Sequence, residues 1–171
     1  MTRPVLGIDI AKAKFDACLL LPDGRLHRKV FPNTCNGFEL LTRWLAQHTL
    51  EPVHACLEAT GRYGAALALY LYEHQHMVSL INPAAIKAFA ASRLTRSKTD
   101  RVDATLIAHF CATQQLLVWT PPAAEVQELQ ALVRRLDALV EMRTMERNRL
   151  SAGATLATVR ASIEAHLDYL Q

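Results

Sequence analysis

The chain has 171 residues, of which 51% are hydrophobic and 20% are charged, and its formal net charge is +3. This length allows one full domain and a smaller appendage, and this composition allows a buried core. The sequence contains no run of some eighteen apolar residues and no signal-peptide pattern. We therefore expect a soluble protein of the cell interior with no membrane partner.

Short apolar runs alternate with longer amphipathic segments and predict the element order β-β-β-α-β-α-β-α-α. The predicted strands cover Val5–Ile10, Lys14–Leu21, Arg25–Phe31, Val53–Leu57 and Met77–Ile81. The predicted helices run from Asn33 or Thr34 to about Gln47, from Gly61 or Arg62 to about His74, from Ala84 to Ala91 and from about Asp100 to Gln114. Strands linked by hairpins and followed by alternating strands and helices predict a mixed α/β sheet with helices on its faces.

Two acidic residues accompany the predicted strands. Asp9 lies inside the first apolar strand, where a charge is costly unless it is paired or binds a metal. Glu58 ends the fourth strand, and ligand sites in such sheets gather at the carboxyl ends of parallel strands. Asp9 and Glu58 would face one site if the two strands are adjacent and parallel. The alternatives are a salt-bridged acid for Asp9 and a turn acid for Glu58.

The stretch Ser97–Asp103 contains two further acids, Asp100 and Asp103, at the start of an apolar helical run. Residues at i and i+3 of a helix are neighbours, so these carboxylates would repel each other unless a cation or a proton lies between them. Gathered carboxylates suit Mg²⁺, or Mn²⁺, because these ions prefer hard oxygen ligands. The structural alternative is a capping box formed by Ser97 and Asp100.

A group of basic residues lies in and before this stretch. Its members are Lys87, Arg93, Arg96, Lys98 and Arg101. Bases next to an acid cluster can hold phosphates while the acids hold a metal, so we expect a nucleic-acid contact that weakens as salt rises. The alternative is a solvated basic loop.

The four cysteines are far apart in the sequence and form no C-x-x-C motif. They are Cys18, Cys35, Cys56 and Cys111. Their spacing argues against a zinc site and against a disulfide framework, and it predicts ordinary buried thiols in a reducing compartment.

The double proline Pro121-Pro122 predicts the end of a first domain at about residue 120. Residues 121–171 contain a heptad-like apolar seam followed by a second amphipathic helix. The seam consists of Val126, Leu129, Val133, Leu136 and Val140. We expect a helical, coiled-coil segment that supports a homo-oligomer. Because the last helix reaches the C-terminus without a cap, we also expect the natural chain to continue.

Several motifs together resemble one protein family. They are Gly7-Ile8-Asp9, Glu58-Ala-Thr-Gly-Arg-Tyr63, Ile81-Asn-Pro83 with Lys87-Ala-Phe89, and Lys98-Thr-Asp-Arg-Val-Asp-Ala104. Their order closely resembles the N-terminal part of the DEDD-type insertion-sequence transposases. These are bridge-RNA-guided recombinases whose first domain is like the Holliday-junction resolvase RuvC. The family's four acids fall on Asp9, Glu58, Asp100 and Asp103.

The resemblance implies an RNase-H-like fold, Mg²⁺ at the acid tetrad, and DNA strand cleavage and rejoining during transposition. It also implies DNA and a guide RNA as partners, a bacterial cytoplasmic, nucleoid-associated location, and a coiled coil used in assembly. In the family a C-terminal domain carries a serine that looks like the nucleophile, so this chain is expected to be the N-terminal catalytic half. Two alternatives stay open: a stand-alone resolvase-like nuclease, and a non-catalytic RNA- or DNA-binding assembly module.

Overall fold

A computed structural model of the chain describes residues 3–58, 63–92, 103–153 and 156–170. These residues belong to two compact units, one ending at Pro121 and the other beginning at Pro122. The strands are β1 (Val5–Ile10), β2 (Lys14–Leu20), β3 (Leu26–Pro32), β4 (His54–Glu58) and β5 (Met77–Ile81). The helices are α1 (Cys35–Ala46), α2 (Ala65–Glu73), α3 (Pro83–Ser92), α4 (Ala104–Thr113), α5 (Ala124–Ser151) and α6 (Ala157–Tyr169).

The five strands of the first unit form one mixed sheet in the order β3-β2-β1-β4-β5. β1 pairs antiparallel with β2 and parallel with β4, and β4 pairs parallel with β5. The predicted element order and the mixed α/β class are confirmed, and the sheet agrees with the RNase-H-like fold that the resemblance implies. The carboxyl ends of β1, β4 and β5 therefore lie along one edge of the sheet.

Helices cover both faces of this sheet. On one face Ile8 belongs to a buried cluster with Leu41 of α1 and Leu71 of α2. On the other face Val5 belongs to a cluster with Ile86 of α3 and Ile107 of α4. Successive residues of a strand point to opposite faces, so the central strand β1 is buried on both sides and holds its side chains rigidly.

Helix α4 lies directly on β1 at Gly7. A β-carbon at this position would overlap the backbone of Ala104 and of Ala108. Because glycine has no side chain, it allows this close approach of helix and strand backbones. The first turn of α4 is consequently fixed over Gly7, which lies two residues before Asp9 on β1.

The predicted start of α4 was wrong. Asp103 has an extended backbone (φ −107°, ψ 162°), and its carboxylate accepts a hydrogen bond from the backbone N–H of Leu106 at 2.8 Å. Asp103 is thus the N-cap that precedes the helix, so it does not lie within the helix as expected. Asp100 and Ser97 lie outside the described residues. Helix α2 also begins later than predicted, after Gly64.

The expectation that all four cysteines are ordinary thiols was wrong for two of them. Cys56 of β4 and Cys111 of α4 form a disulfide, with their Cα atoms 6.2 Å apart. The fold joins residues that are 55 positions apart in the sequence, so sequence spacing gave no sign of the pair. Cys18 is a buried free thiol and Cys35 is an exposed one.

The second unit is a pair of helices. The nearly buried Glu146 of α5 accepts a hydrogen bond from Arg149 at 2.8 Å, and its Oε1 lies 3.3 Å from Nδ1 of His166 on α6. The predicted seam side chains of α5 are 42–60% exposed. None of the helices in the described ranges is long and apolar enough to span a membrane.

We expect Gly7→Ala to lower the free energy of unfolding by about 1–3 kcal/mol, because the added methyl group overpacks the contact between β1 and α4. Urea unfolding measures this change. The matched control is Gly64→Ala, whose β-carbon would meet Ile10 Cγ2 at an ordinary 3.8 Å. The control should change stability by less than about 1 kcal/mol. Equal stability of the two variants would contradict the proposed role of Gly7.

Candidate active site

Three of the predicted acids lie at one edge and on one face of the sheet. Gly7 pairs with Cys56 and Ile8 with Leu57, so continuing this parallel register places Asp9 beside Glu58. Asp9 points to the same face as Gly7, which is the face covered by α4. Asp103 caps the N-terminus of that helix. The fold thus brings the acids of three separate elements to one region.

The carboxyl groups of Asp9, Glu58 and Asp103 do not all lie within metal-ligand reach of one another. Among the described residues, a different set has its potential ligand atoms all within 4.8 Å of one another. This set consists of His54, Cys56 and Cys111. Like charges without a cation between them repel, which is consistent with the open arrangement of the acids. The fourth predicted acid, Asp100, lies outside the described residues.

Asp16 is an acid of this region that sequence reasoning missed. It lies directly opposite Asp9 in the antiparallel ladder of β1 and β2. Cross-strand neighbours of this kind have their β-carbons about 4.5–5.5 Å apart. Nζ of Lys14 lies 3.6 Å from the Asp16 carboxylate and offsets part of its charge. The short connection between β1 and β2 was a signal for this pairing.

Asn33 holds together two backbone segments at the same edge. Its side-chain amide donates hydrogen bonds to the carbonyl oxygens of Ala11 (3.0 Å) and Tyr63 (3.1 Å). Ala11 directly follows β1, and Tyr63 precedes α2. Asn33 therefore ties the loop after Asp9 to the segment that precedes α2. In the sequence, Asn33 is an ordinary candidate for the residue that begins a helix.

A cation from β3 contacts the first turn of α4. Nε of Arg28 donates a hydrogen bond to Oγ1 of Thr105 at 2.9 Å. Burial raises the pKa of the neighbouring Cys18 thiol, while its hydrogen bond with Thr105 and the charge of Arg28 act in the opposite direction. A positive charge is thus anchored beside the helix that Asp103 caps. Arg28 belongs to no motif in the sequence. Its position beside α4 follows only from the register of the strands.

Among the predicted phosphate-binding residues, the structure describes Lys87. Lys87 is exposed on α3. Arg93, Arg96, Lys98 and Arg101 lie outside the described residues. The nucleic-acid contact remains a prediction.

The sequence matches a family model described as a DEDD transposase of the IS110 type over residues 6–158. The chain belongs to this transposase family. It is similar to the pilin gene-inverting protein of Moraxella bovis, with 36% identity over 154 residues, covering 89% of this chain and 48% of that protein. It is also similar to the transposase for insertion sequence element IS1328 of Yersinia enterocolitica, with 30% identity over 150 residues, covering 86% and 41%. This member of the DEDD transposase family thus spans about half the length of these relatives or less.

We expect Asn33→Ala to lower the free energy of unfolding by about 1–3 kcal/mol, since two hydrogen bonds of about 0.5–1.5 kcal/mol each are lost. Chemical denaturation measures the loss. Asn36→Ala, on the exposed surface of α1, is the control and should stay within about 0.5 kcal/mol of the parent. An unchanged Asn33→Ala variant would show that the loops are held by other contacts.

Proposed function

We propose that this chain is the N-terminal, metal-binding half of a transposase that cleaves and rejoins DNA strands. The observation that carries the proposal is the convergence of Asp9, Glu58 and Asp103 at one edge of the sheet in a member of the DEDD transposase family. The names of the relatives describe gene inversion and insertion-sequence transposition. Both are rearrangements of DNA, so strand cleavage and rejoining is the chemistry that we propose for this chain.

The donor set at the edge fits a hard divalent cation. Carboxylates are the ligands that Mg²⁺ and Mn²⁺ prefer, and they discriminate against zinc. Asp9 would bind from a rigid central strand, Glu58 from the adjacent strand end, and Asp103 from the helix held against Gly7. Asp100 is the proposed fourth ligand. When bound, such an ion stabilises negative charge on a scissile phosphate.

The residues around the acids have positioning roles in this proposal. Asn33 ties the loop that follows Asp9 to Tyr63, which precedes α2. Arg28 contributes a fixed positive charge beside α4. Lys87, together with Arg93, Arg96, Lys98 and Arg101, would contact DNA phosphates. The nucleophilic serine that the family resemblance implies would come from a part of the protein beyond this chain.

Assembly through the second unit is a further part of the proposal. The seam of α5 is apolar, follows heptad spacing and is exposed within the chain. An exposed apolar stripe of this kind fits the same stripe of a second copy. A guide RNA is proposed from the family resemblance alone. A protein with these partners would work in the bacterial cytoplasm, at the nucleoid.

Thermal melting in Mg²⁺ or Mn²⁺ tests the metal site. At ten times the dissociation constant a bound ion stabilises the fold by about 1.4 kcal/mol, which raises the melting midpoint by about 3–5 °C for a chain of this size. We expect Asp9→Asn and Asp103→Asn to abolish this rise. Asparagine caps a helix as well as aspartate does, so Asp103→Asn should keep α4 intact. Glu39→Gln, which changes an exposed acid of α1, is the control and should retain the rise.

Other outcomes would favour the alternatives. Cleavage of branched DNA by this chain alone in Mg²⁺ would favour the resolvase-like nuclease. If Asp9→Asn melts far below the parent in metal-free buffer, and the parent shows no metal-dependent rise, the acids are structural. That result would favour the non-catalytic assembly module.

Light scattering coupled to gel filtration tests the assembly surface. We expect the chain to form an oligomer, and the double variant Leu129→Glu/Leu136→Glu to be monomeric, because charges in an apolar seam oppose its burial. The control variant, Ala131→Glu/Ala138→Glu, changes positions on the opposite side of the heptad pattern and should remain oligomeric. A monomeric parent chain would contradict the assembly proposal.

A further inference from the structure

A second cluster of donor atoms lies between β4 and α4, away from the carboxyl ends of the strands where the acids lie. His54 and Cys56 are two residues apart on β4 and therefore point to the same face of the sheet. Cys111 comes from α4, which covers that face. The ligand atoms of these three residues all lie within 4.8 Å of one another. One nitrogen and two sulfur atoms thus share a small volume that contains none of the proposed magnesium ligands.

We propose that, in the reduced chain, His54, Cys56 and Cys111 bind a thiophilic divalent metal ion such as Zn²⁺. Two cysteines and one histidine form a known type of zinc site with three protein ligands and a fourth position for another donor. Thiolate and imidazole ligands select Zn²⁺ over Mg²⁺. The proposed site is therefore chemically separate from the acids at the strand ends.

The surroundings of His54 fix the tautomer of its ring. Ser79 is almost fully buried, and its hydroxyl donates a hydrogen bond to the carbonyl of Leu117 at 2.8 Å. Its single proton is thus used, so its oxygen accepts from Nε2–H of His54 at 2.9 Å. This arrangement leaves Nδ1 as the nitrogen with a lone pair in the neutral ring. Metal-binding histidines are typically fixed in this way through their other nitrogen.

The cluster is open to solvent through a cavity of about 600 Å³. His54 and Cys111 line this cavity together with Arg3, Glu51 and Pro52. An ion in the cavity can therefore contact His54 and Cys111, while Cys56 is fully buried. A water molecule from the cavity, or the carboxylate of Glu51, would complete a tetrahedral set.

The disulfide and the metal are alternative states of the same two sulfur atoms. Reduction adds two electrons and two protons and gives two thiols. A thiol reductant supplies both and becomes a disulfide, whereas a phosphine supplies the electrons, becomes a phosphine oxide, and takes the oxygen and the two protons from water. Each thiol then releases its proton as it binds the metal. A DNA-acting protein meets such reductants in the cell interior, and this point alone rests on the proposed function. In either state, the disulfide or the metal connects β4, which ends at Glu58, to α4, the helix that Asp103 caps.

Titration with Co²⁺ under a phosphine reductant tests this site, because tetrahedral Co²⁺ bound to thiolates has charge-transfer and visible absorption bands. We expect one Co²⁺ per reduced chain, and bleaching of the bands by Zn²⁺, which binds more tightly. The oxidised chain, with the same sequence and fold, should show no charge-transfer band. Absence of this band in the reduced chain, or its presence in the oxidised chain, would overturn the proposal.

Substitutions assign the ligands. Cys111→Ser and His54→Ala should weaken Co²⁺ binding by roughly tenfold or more, and Ser79→Ala by roughly 10- to 100-fold while the bands keep their shape. Cys35→Ser, which changes an exposed free thiol, is the control and should bind Co²⁺ as the parent does. Circular dichroism identifies any variant that fails to fold. Equal binding by folded Cys111→Ser and the parent would refute the assignment.

Discussion

The contact between the backbones of β1 and α4 at Gly7 determines the geometry of the candidate active site. Asp9 lies on the same strand face as Gly7, and Asp103 directly precedes the residue that Gly7 contacts, Ala104. A larger side chain at Gly7 would push α4 away and increase the separation of the two acids. Glycine in a strand costs roughly 0.5–1 kcal/mol relative to alanine. Burial of Ile107 and Ala108 against the sheet offsets this cost.

Strand positions could be predicted from the sequence more accurately than helix starts. The bounds of β1 and β5 match the prediction because each is a short, largely apolar run, and β5 is stopped by Asn82-Pro83. The start of α4 could not be predicted in the same way. Asp100 and Asp103 are equally good capping residues by local criteria. Packing against Gly7, a contact distant in sequence, favours the start at Ala104.

In the candidate site, too, residues with an unusual local sequence could be predicted, and residues that depend on contacts distant in sequence could not. Asp9 and Glu58 were identifiable because a charge in or at the end of an apolar strand is unusual. Asp16, Asn33 and Arg28 were not identified, since their roles depend on strand register and loop contacts. The disulfide was missed for a related reason: it requires the parallel pairing of β1 and β4 and the placement of α4 over both strands.

One face of β4 presents two kinds of candidate metal ligand in succession. His54 and Cys56 offer soft donors, and Glu58, about 7 Å further along the strand than Cys56, offers a hard one. Helix α4 spans the same range, with Cys111 about 12 Å along its axis from Asp103. A covalent or metal bond at Cys111 therefore limits how far the capping acid can move relative to Glu58. If the acids bind a divalent ion as proposed, their closure around it would depend on side-chain rotation and not on movement of the whole helix.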